Sequence, residues 1–158
     1  MLLTVSAALF ALGTLFSQPA EADHVKGLSH THLAKQMTVH KSPWCGCCTG
    51  WTKALEKSGY KMSVSHHDDL DPIKKQFGVP EAMAGCHTAL WGDYVVEGHV
   101  PLEALAKLDK ERPDIKGIAV PGMPSGSLGM GYDPKAQYTV YALPRDGGAP
   151  VPFYVAGQ

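Results

Sequence analysis

The chain of 158 residues carries 14 basic and 15 acidic side chains, which give it a formal net charge of −1. A charge this close to zero, with no basic face along the sequence, excludes nucleic acids and anionic membrane surfaces as expected partners. The length suits one compact domain with extensions, and we expect a monomer.

The N-terminus has the pattern of an export signal. Residues 2–16 form an apolar run of the length found in signal peptides, and Ala20-Glu21-Ala22 supplies the small-x-small pattern of a signal-peptidase site. The run is shorter than the roughly 20 apolar residues that a membrane span needs. We therefore predict a signal peptide at residues 1–22 and a periplasmic location. No Lys or Arg precedes the apolar run, which departs from the usual pattern of a signal peptide. An uncleaved anchor is the alternative.

The elements that follow alternate between strand and helix patterns. Residues 23–35 are polar, lack periodicity and are predicted to form a tether. The predicted elements then come in this order: strand 36–42, helix 49–59, strand 60–67, short helix 71–78, strand hairpin 87–98 and amphipathic helix 101–112. This order predicts an α/β fold, a mixed sheet with flanking helices, over residues 36–113.

The composition changes after Arg112. Residues 117–133 are rich in Gly and Pro and are predicted to form an irregular loop. Two strand-like stretches follow, at 136–144 and 151–157. We therefore predict a C-terminal extension over residues 114–158.

Three cysteines stand at the predicted start of the first helix, in Cys45-Gly46-Cys47-Cys48. The exposed N–H groups and the dipole of a helix N-terminus stabilise a thiolate. Cys45 and Cys48 are three residues apart and share a helix face, as in a C-x-x-C redox dithiol. Cys47 adds a third thiol, which can attack a disulfide formed by its neighbours. The motif by itself leaves a redox site and a metal site open.

A fourth cysteine, Cys86, comes with His87 directly before the third predicted strand. In a fold with this strand order, the loop before that strand packs against the start of the first helix. We therefore expect Cys86 to face Cys45 and Cys48, with His87 close by. His99 precedes the last helix and is a weaker candidate, because a capping or packing role there is equally simple.

The donor types indicate a soft metal. Four thiolates with imidazole and thioether donors select soft ions, and Cu(I) is the soft ion most often met in an exported compartment. Met123 and Met130 lie in the Gly/Pro-rich stretch without apolar periodicity, and we predict them as thioether ligands. Because adjacent thiolates do not all bind one ion terminally, bridging and more than one copper ion are expected. A structural zinc site is the alternative, although zinc motifs usually combine two C-x-x-C pairs.

Two further groups of histidines are predicted to lie outside the site. His66 and His67 are adjacent at the end of the second strand, where neighbouring side chains point to opposite faces, so we do not expect them to chelate together. His24, His30 and His32 lie in the tether, where we expect a solvated linker.

Three stretches, KSPWCGCC, FGVPEAMAGCHTALWGDYVVEGHVP and GIAVPGMPSGSLGM, resemble the CopG-type periplasmic copper-resistance proteins. The resemblance runs from about Met37 to Met130 and leaves out the tail beyond Gly131. It implies a thioredoxin-like domain whose C-terminal extension helps to bind metal, a cysteine-bridged multinuclear copper site, and a role as a copper oxidoreductase in copper tolerance. Carried over to this chain, the metal-binding residues are Cys45, Cys47, Cys48, Cys86, His87 and Met123.

WCGCC is also similar to the thioredoxin signature W-C-G-P-C, with Cys47 in place of proline. Gly85-Cys86-His87 stands where thioredoxins carry a cis-proline loop, so two potential ligands replace a peptide clamp. This exchange favours copper over protein disulfides as the substrate. We predict a copper oxidoreductase that works with a copper-efflux or electron-transfer partner. A copper chaperone or scavenger without turnover, and a thiol–disulfide oxidoreductase, are the alternatives.

Overall fold

The computed structural model describes residues 32–158, so the predicted signal peptide and the tether residues up to 31, with His24 and His30, lie outside the described residues. The strands and helices are β1 (Gln36–Lys41), α1 (Gly46–Lys57), β2 (Lys61–His66), α2 (Asp71–Gln76), β3 (His87–Trp91), β4 (Tyr94–Glu97), α3 (Leu102–Glu111), β5 (Gly117–Ala119), β6 (Tyr138–Leu143) and β7 (Val151–Ala156). A short 3₁₀ turn at Glu81–Met83 precedes β3. None of the helices in this part of the chain has the length and apolar character that a membrane span requires.

The seven strands found in residues 32–158 form one sheet in the order β2-β1-β3-β4-β5-β6-β7. β1 runs parallel to β2, β4 runs parallel to β5, and the other neighbours are antiparallel. The prediction of a mixed α/β sheet with flanking helices is confirmed. β5, β6 and β7, which lie in the predicted extension, continue the sheet of the first four strands.

The hydrophobic core lies between α1, α3 and the sheet. Trp51 and Leu55 of α1 are four residues apart, so both point to one side of the helix, and both are fully buried. They join Leu105 and Leu108 of α3 and Val39 of β1 in a single cluster. Truncating one of these leucines to alanine would cost about 2–5 kcal/mol of stability. This core holds the N-terminal end of α1 in a fixed position on the sheet.

The strand β5 corrects one sequence-based prediction. Gly117–Ala119 falls within residues 117–133, which the sequence predicts as an irregular loop, and for these three residues the prediction is wrong. Ile118 is fully buried, and the segment pairs in parallel with β4. Gly117 lies so close to the backbone of Val95 that a side chain there would collide with it. Three residues are too few to show the alternation by which a strand is identified in a sequence.

The pairing of β1 with β3 brings the predicted site residues together. β3 is antiparallel to β1, with His87 opposite Lys41, so the loop before β3 lies beside the loop that leads from β1 into α1. A parallel bridge between Gly85 and Gly122 joins the C-terminal extension to the loop before β3. The Gly122 N–H donates to the Ala84 carbonyl at 2.9 Å. The start of α1, the loop before β3 and the extension therefore meet at one end of the sheet.

Candidate metal site

The four cysteines form one cluster. Their sulfur atoms all lie within 4.8 Å of one another, as expected from the sequence. Cys45 and Cys48 form a disulfide, with their Cα atoms 5.4 Å apart, and Cys47 and Cys86 are free thiols. The Cys86 Sγ lies 3.3 Å from the Cys48 Sγ and 3.9 Å from the Cys47 Sγ. The cluster therefore combines a disulfide with two free thiols.

The first turn of α1 positions three of the sulfurs. Cys45 has extended backbone angles and caps the helix, and its Sγ accepts the N–H of Cys48 at 3.3 Å. Cys48 is fully buried, whereas Cys47 is half-buried and lies 3.3 Å from Cys45, sulfur to sulfur. Because the helix N-terminus carries a partial positive charge, this turn favours negatively charged sulfur at Cys45.

The C-terminal extension packs against the same turn of α1. Gly129 has a φ of +88°, and a Cβ there would come within 2.6 Å of the Cys47 carbonyl oxygen and of the Trp51 backbone nitrogen. A Cβ on Gly50 would likewise approach the Gly129 carbonyl oxygen to 3.1 Å. The two glycines therefore permit a close backbone approach, which a side chain at Gly129 would prevent. This contact holds the extension beside the cysteine cluster.

His99 faces the cluster in a defined orientation. Its Nδ1 lies 2.6 Å from the Leu128 carbonyl oxygen, and a carbonyl can only accept, so Nδ1 carries the proton. Its Nε2 is then an acceptor, and it lies 2.8 Å from the Cys86 Sγ, whose S–H donates to it. Burial lowers the pKa of His99, which is fully buried, so that it stays neutral at neutral pH. A neutral imidazole held by a carbonyl at its other nitrogen is the usual form of a metal-ligating histidine.

His87 lies beside Cys86 and is fully buried. Its Nδ1 is 3.5 Å from the Cys86 Sγ, and its Nε2 is buried without a hydrogen-bond partner within the described residues. Burial, followed by the charge of His99, holds the pKa of His87 well below its usual range. A buried nitrogen without a partner costs free energy unless another group satisfies it, and a metal ion is one such group.

Cys86 keeps its proton in the disulfide form of the site. Burial raises the pKa of the Cys86 thiol to about 12, and the neighbouring Cys47 adds to the effect, while the Lys74 ammonium opposes it. A thiol ligand must lose its proton before it binds a metal ion. Metal binding at Cys86 would therefore release a proton, and it is favoured by higher pH.

A buried carboxylate fixes both ends of the segment that carries the Cys-His pair. Glu97, fully buried at the end of β4, accepts the N–H of Gly85 at 2.7 Å and the hydroxyl of Thr88 at 2.6 Å. Lys74 of α2 pairs with the same carboxylate at 2.5 Å. A buried charge is tolerated when it is paired and fully hydrogen-bonded, as it is here. The two residues that flank the Cys-His pair are thus held by a single side chain.

The predicted thioether donors lie in a different environment. Met123 is 58% exposed, and Met130 is partly buried, with its N–H donating to the Ser127 carbonyl at 2.8 Å. Their role as ligands therefore stays a prediction. The backbone between them contacts the cluster through Leu128 and Gly129.

Sequence reasoning underrated His99 and missed Glu97 and Lys74. His99 lies closer to the Cys86 sulfur than His87 does. The sequence held one signal for Glu97, which is a glutamate at the end of the apolar strand YVVE. In the structure all four residues of this strand are buried. A charged residue in such a strand indicates a buried partner, but nothing in the sequence identifies Lys74 as that partner.

Comparisons with known proteins agree with the geometry. A family model described as a protein of unknown function, DUF411, matches residues 83–130. No curated protein matches the chain. The solved structure of copper resistance protein CopG, form 2, is 40% identical, with a TM-score of 0.70, over 76% of this chain and 96% of that one. Form 1 is 38% identical, with a TM-score of 0.71, over 81% of this chain and 100% of that one. The chain therefore belongs to the CopG family of copper resistance proteins.

Proposed function

We propose that this protein binds copper in the periplasm as part of copper resistance and interconverts Cu(I) and Cu(II) at a cysteine-bridged, multinuclear site. The observation that carries the proposal is the group of four sulfurs within 4.8 Å of one another, with the His99 Nε2 at 2.8 Å from one of them. Membership of the CopG family supports copper as the ion. The signal-like N-terminus supports export.

The donors fit copper as substrate better than zinc. Thiolates are soft ligands and favour Cu(I), whereas neutral imidazoles bind both Cu(I) and Cu(II). A structural zinc site needs four permanent ligands, and here two of the four sulfurs form a disulfide. Once the pair is reduced, four sulfurs that lie this close together bridge ions more readily than they surround a single one. The reduced protein therefore holds several Cu(I) ions.

The Cys45–Cys48 pair supplies a balanced redox step. Oxidation of the two thiols to the disulfide releases two protons and two electrons, and the electrons reduce two Cu(II) ions to two Cu(I) ions. Cys47 and Cys86 keep their thiols in the disulfide form and remain as sulfur donors. An external dithiol reductant returns two electrons and two protons to the pair and is itself oxidised to a disulfide. This reductant is the electron-transfer partner, and a copper-efflux protein receives the Cu(I).

The domain organisation follows the same proposal. Residues 36–113 form a thioredoxin-like domain that carries the cysteines, and residues 114–158 form an extension that contributes to metal binding. The strand order β2-β1-β3-β4, with α1 starting at the cysteine motif, supports the first part. The contact of Leu128 with His99 supports the second.

The test of the oxidoreductase proposal is the valence of bound copper during redox cycling. The copper-loaded protein is oxidised and then reduced by a dithiol, while X-ray absorption at the copper edge reports valence and elemental analysis reports content. We expect the valence to cycle reversibly while the copper stays bound. Copper that stays Cu(I) throughout, or leaves when it is oxidised, would identify a scavenger or chaperone instead.

A thiol–disulfide oxidoreductase is the second candidate, because Cys45 and Cys48 form a disulfide at a helix N-terminus. Cys86 and His99 argue against it, since a thiol 3.3 Å from the Cys48 Sγ and an imidazole 2.8 Å from that thiol add metal donors that disulfide exchange with a protein does not need. An insulin-reduction assay of the metal-free protein separates the two functions. Turnover without any affinity for copper would support the second candidate.

A further inference from the structure

Two histidines, His40 on β1 and His67 just after β2, lie in contact with each other and apart from the cysteine cluster. His40 belongs to β1, where Val39 and Lys41 on either side of it are buried toward the other face of the sheet. His87 pairs with Lys41 and packs against Trp51 of α1. Because side chains alternate along a strand, His40 points to the face opposite the cysteine cluster.

The backbone ladder fixes both histidines. His40 lies opposite Ser65 in the parallel register of β1 and β2. The N–H of His67, one residue beyond β2, donates to the Lys41 carbonyl at 3.0 Å and so continues the ladder. The two imidazoles are therefore neighbours on rigid backbone.

The imidazole nitrogens face each other. The Nδ1 of His40 lies 3.0 Å from the Nε2 of His67, and the Ser65 Oγ lies 3.0 Å from the same Nε2. The ring of Phe77, the residue that follows α2, packs beside His40, with the centroids 5.6 Å apart. Partial burial, followed by the charge of His67, lowers the pKa of His40, which leaves its ring neutral at neutral pH. Both side chains are half-buried, so the pair is open to solvent on one side.

We propose that His40 and His67 form a Cu(II) site. The two rings now meet through a hydrogen bond, so both must turn for their nitrogens to face one ion; at metal–nitrogen distances of about 2.05 Å, nitrogens that stay 3.0 Å apart then subtend an angle of about 94° at the metal. This angle is close to the 90° between neighbouring ligands in the square-planar arrangement that Cu(II) prefers, and it is smaller than the tetrahedral angle that Zn(II) prefers. The pair binds as two neutral imidazoles, whose remaining protons move to the outward nitrogens. Ser65 and water complete the coordination.

The histidine pair is a binding site for Cu(II) that is separate from the Cu(I) site of the cysteine cluster. The cysteine cluster favours Cu(I) and the histidine pair favours Cu(II), on opposite faces of the same sheet. Binding of Cu(II) by the pair is argued from the positions of the two histidines alone. Binding of Cu(II) there during a redox cycle rests on the proposed function. His67 finds its partner across the ladder in His40, and the adjacent His66 is exposed and lies on the other face.

The test is a Cu(II) titration of the full chain after alkylation of its free thiols, followed by pulsed electron paramagnetic resonance. His67→Ala is compared with the matched control His66→Ala, and both variants keep every other histidine. We expect the unmodified sequence and His66→Ala to bind one Cu(II) that is coupled to two imidazole nitrogens. We expect His67→Ala to lose that ion, or to bind it at least tenfold more weakly.

Two outcomes would overturn the proposal. One is an unchanged number of Cu(II) ions with an unchanged two-imidazole signal in His67→Ala, and the other is tighter binding of Zn(II) than of Cu(II) at the pair. If circular dichroism shows that His67→Ala does not fold, His40→Gln replaces it with the same expected loss.

Cys48→Ser separates the two proposals, because it removes the cysteine cluster and leaves the histidine pair in place. Loss of Cu(I) loading alone concerns the proposed function, whereas loss of the two-imidazole Cu(II) signal concerns only the histidine pair.

Discussion

The sulfur atoms of the cysteine cluster are held in fixed positions, whereas the side chain of Met123 in the methionine segment, residues 121–131, is largely exposed. The cysteine sulfurs are held by a helix cap, a disulfide and burial at the end of the sheet, and all four lie within 4.8 Å of one another. In the methionine segment the backbone is well packed, but Met123 is 58% exposed. The extension thus contacts His99 through its backbone, since the Leu128 carbonyl oxygen accepts the His99 Nδ1–H.

Of the variants considered, Cys48→Ser should reduce copper binding most. The variant removes a fully buried sulfur that lies 3.3 Å from the Cys86 Sγ, and it prevents the disulfide. We expect copper loading to be abolished while the circular dichroism spectrum stays native, because this disulfide closes too short a loop to stabilise the fold. Normal copper loading of the variant, measured by elemental analysis, would show that the site is assigned wrongly.

Glu97→Gln should give the next largest effect. The amide keeps the size of the side chain but leaves the buried Lys74 without its counter-charge and weakens the bonds to Gly85 and Thr88. Groups that orient metal ligands typically contribute about 10–100-fold in metal affinity, and we expect Cu(I) affinity to fall by that factor. The matched control is Glu103→Gln, an exposed glutamate on α3, which should bind as the parent does. Equal affinity in both folded variants would mean that Glu97 has no positioning role.

His87 should make the stability of the metal-free protein depend on pH. Its folded-state pKa is well below the ordinary value of 6.5, so below pH 6.5 the unfolded chain binds a proton that the folded protein does not. The free energy of unfolding should therefore fall as the pH drops below 6.5, by up to about 1.4 kcal/mol per pH unit, until the folded-state pKa is reached. Urea denaturation at several pH values measures this slope. His87→Phe should reduce it and Met123→Leu should not; an identical slope in His87→Phe would contradict the account.

Met123→Leu should have the smallest effect. The side chain is 58% exposed, so a thioether ligand there must be ordered at the moment of binding, which limits its contribution. We expect Cu(I) affinity to fall by about two- to fivefold, as measured by competition with a Cu(I) chelator. Met62→Leu, on β2, is the matched control. A loss as large as that caused by Cys48→Ser would make the methionine segment an equal part of the site.

The sequence predicted the fold class and the meeting of the cysteines, because both follow from short-range patterns. The element order from β1 to α3 is visible in alternation, helix periodicity and turn residues, and that order places Cys86 against the start of α1. The three-residue strand β5 shows no such periodicity, so it was predicted as a loop.

The parts that the sequence did not reveal depend on contacts between distant segments. The bond of His99 to Leu128 joins positions 29 residues apart, and the pairing of Lys74 with Glu97 joins positions 23 residues apart. The pairing of His40 with His67 depends on the parallel register of β1 and β2, which no local pattern specifies. Only the assembled sheet brings these groups within bonding distance.

The central claim, a multinuclear copper site built on four cysteines, is tested most directly by anaerobic titration of the reduced protein with Cu(I). Bound copper is counted by elemental analysis after removal of excess ion. We expect two or more copper ions per chain, because the four sulfurs lie close enough to bridge several ions. Zero or one copper ion per chain would contradict the account.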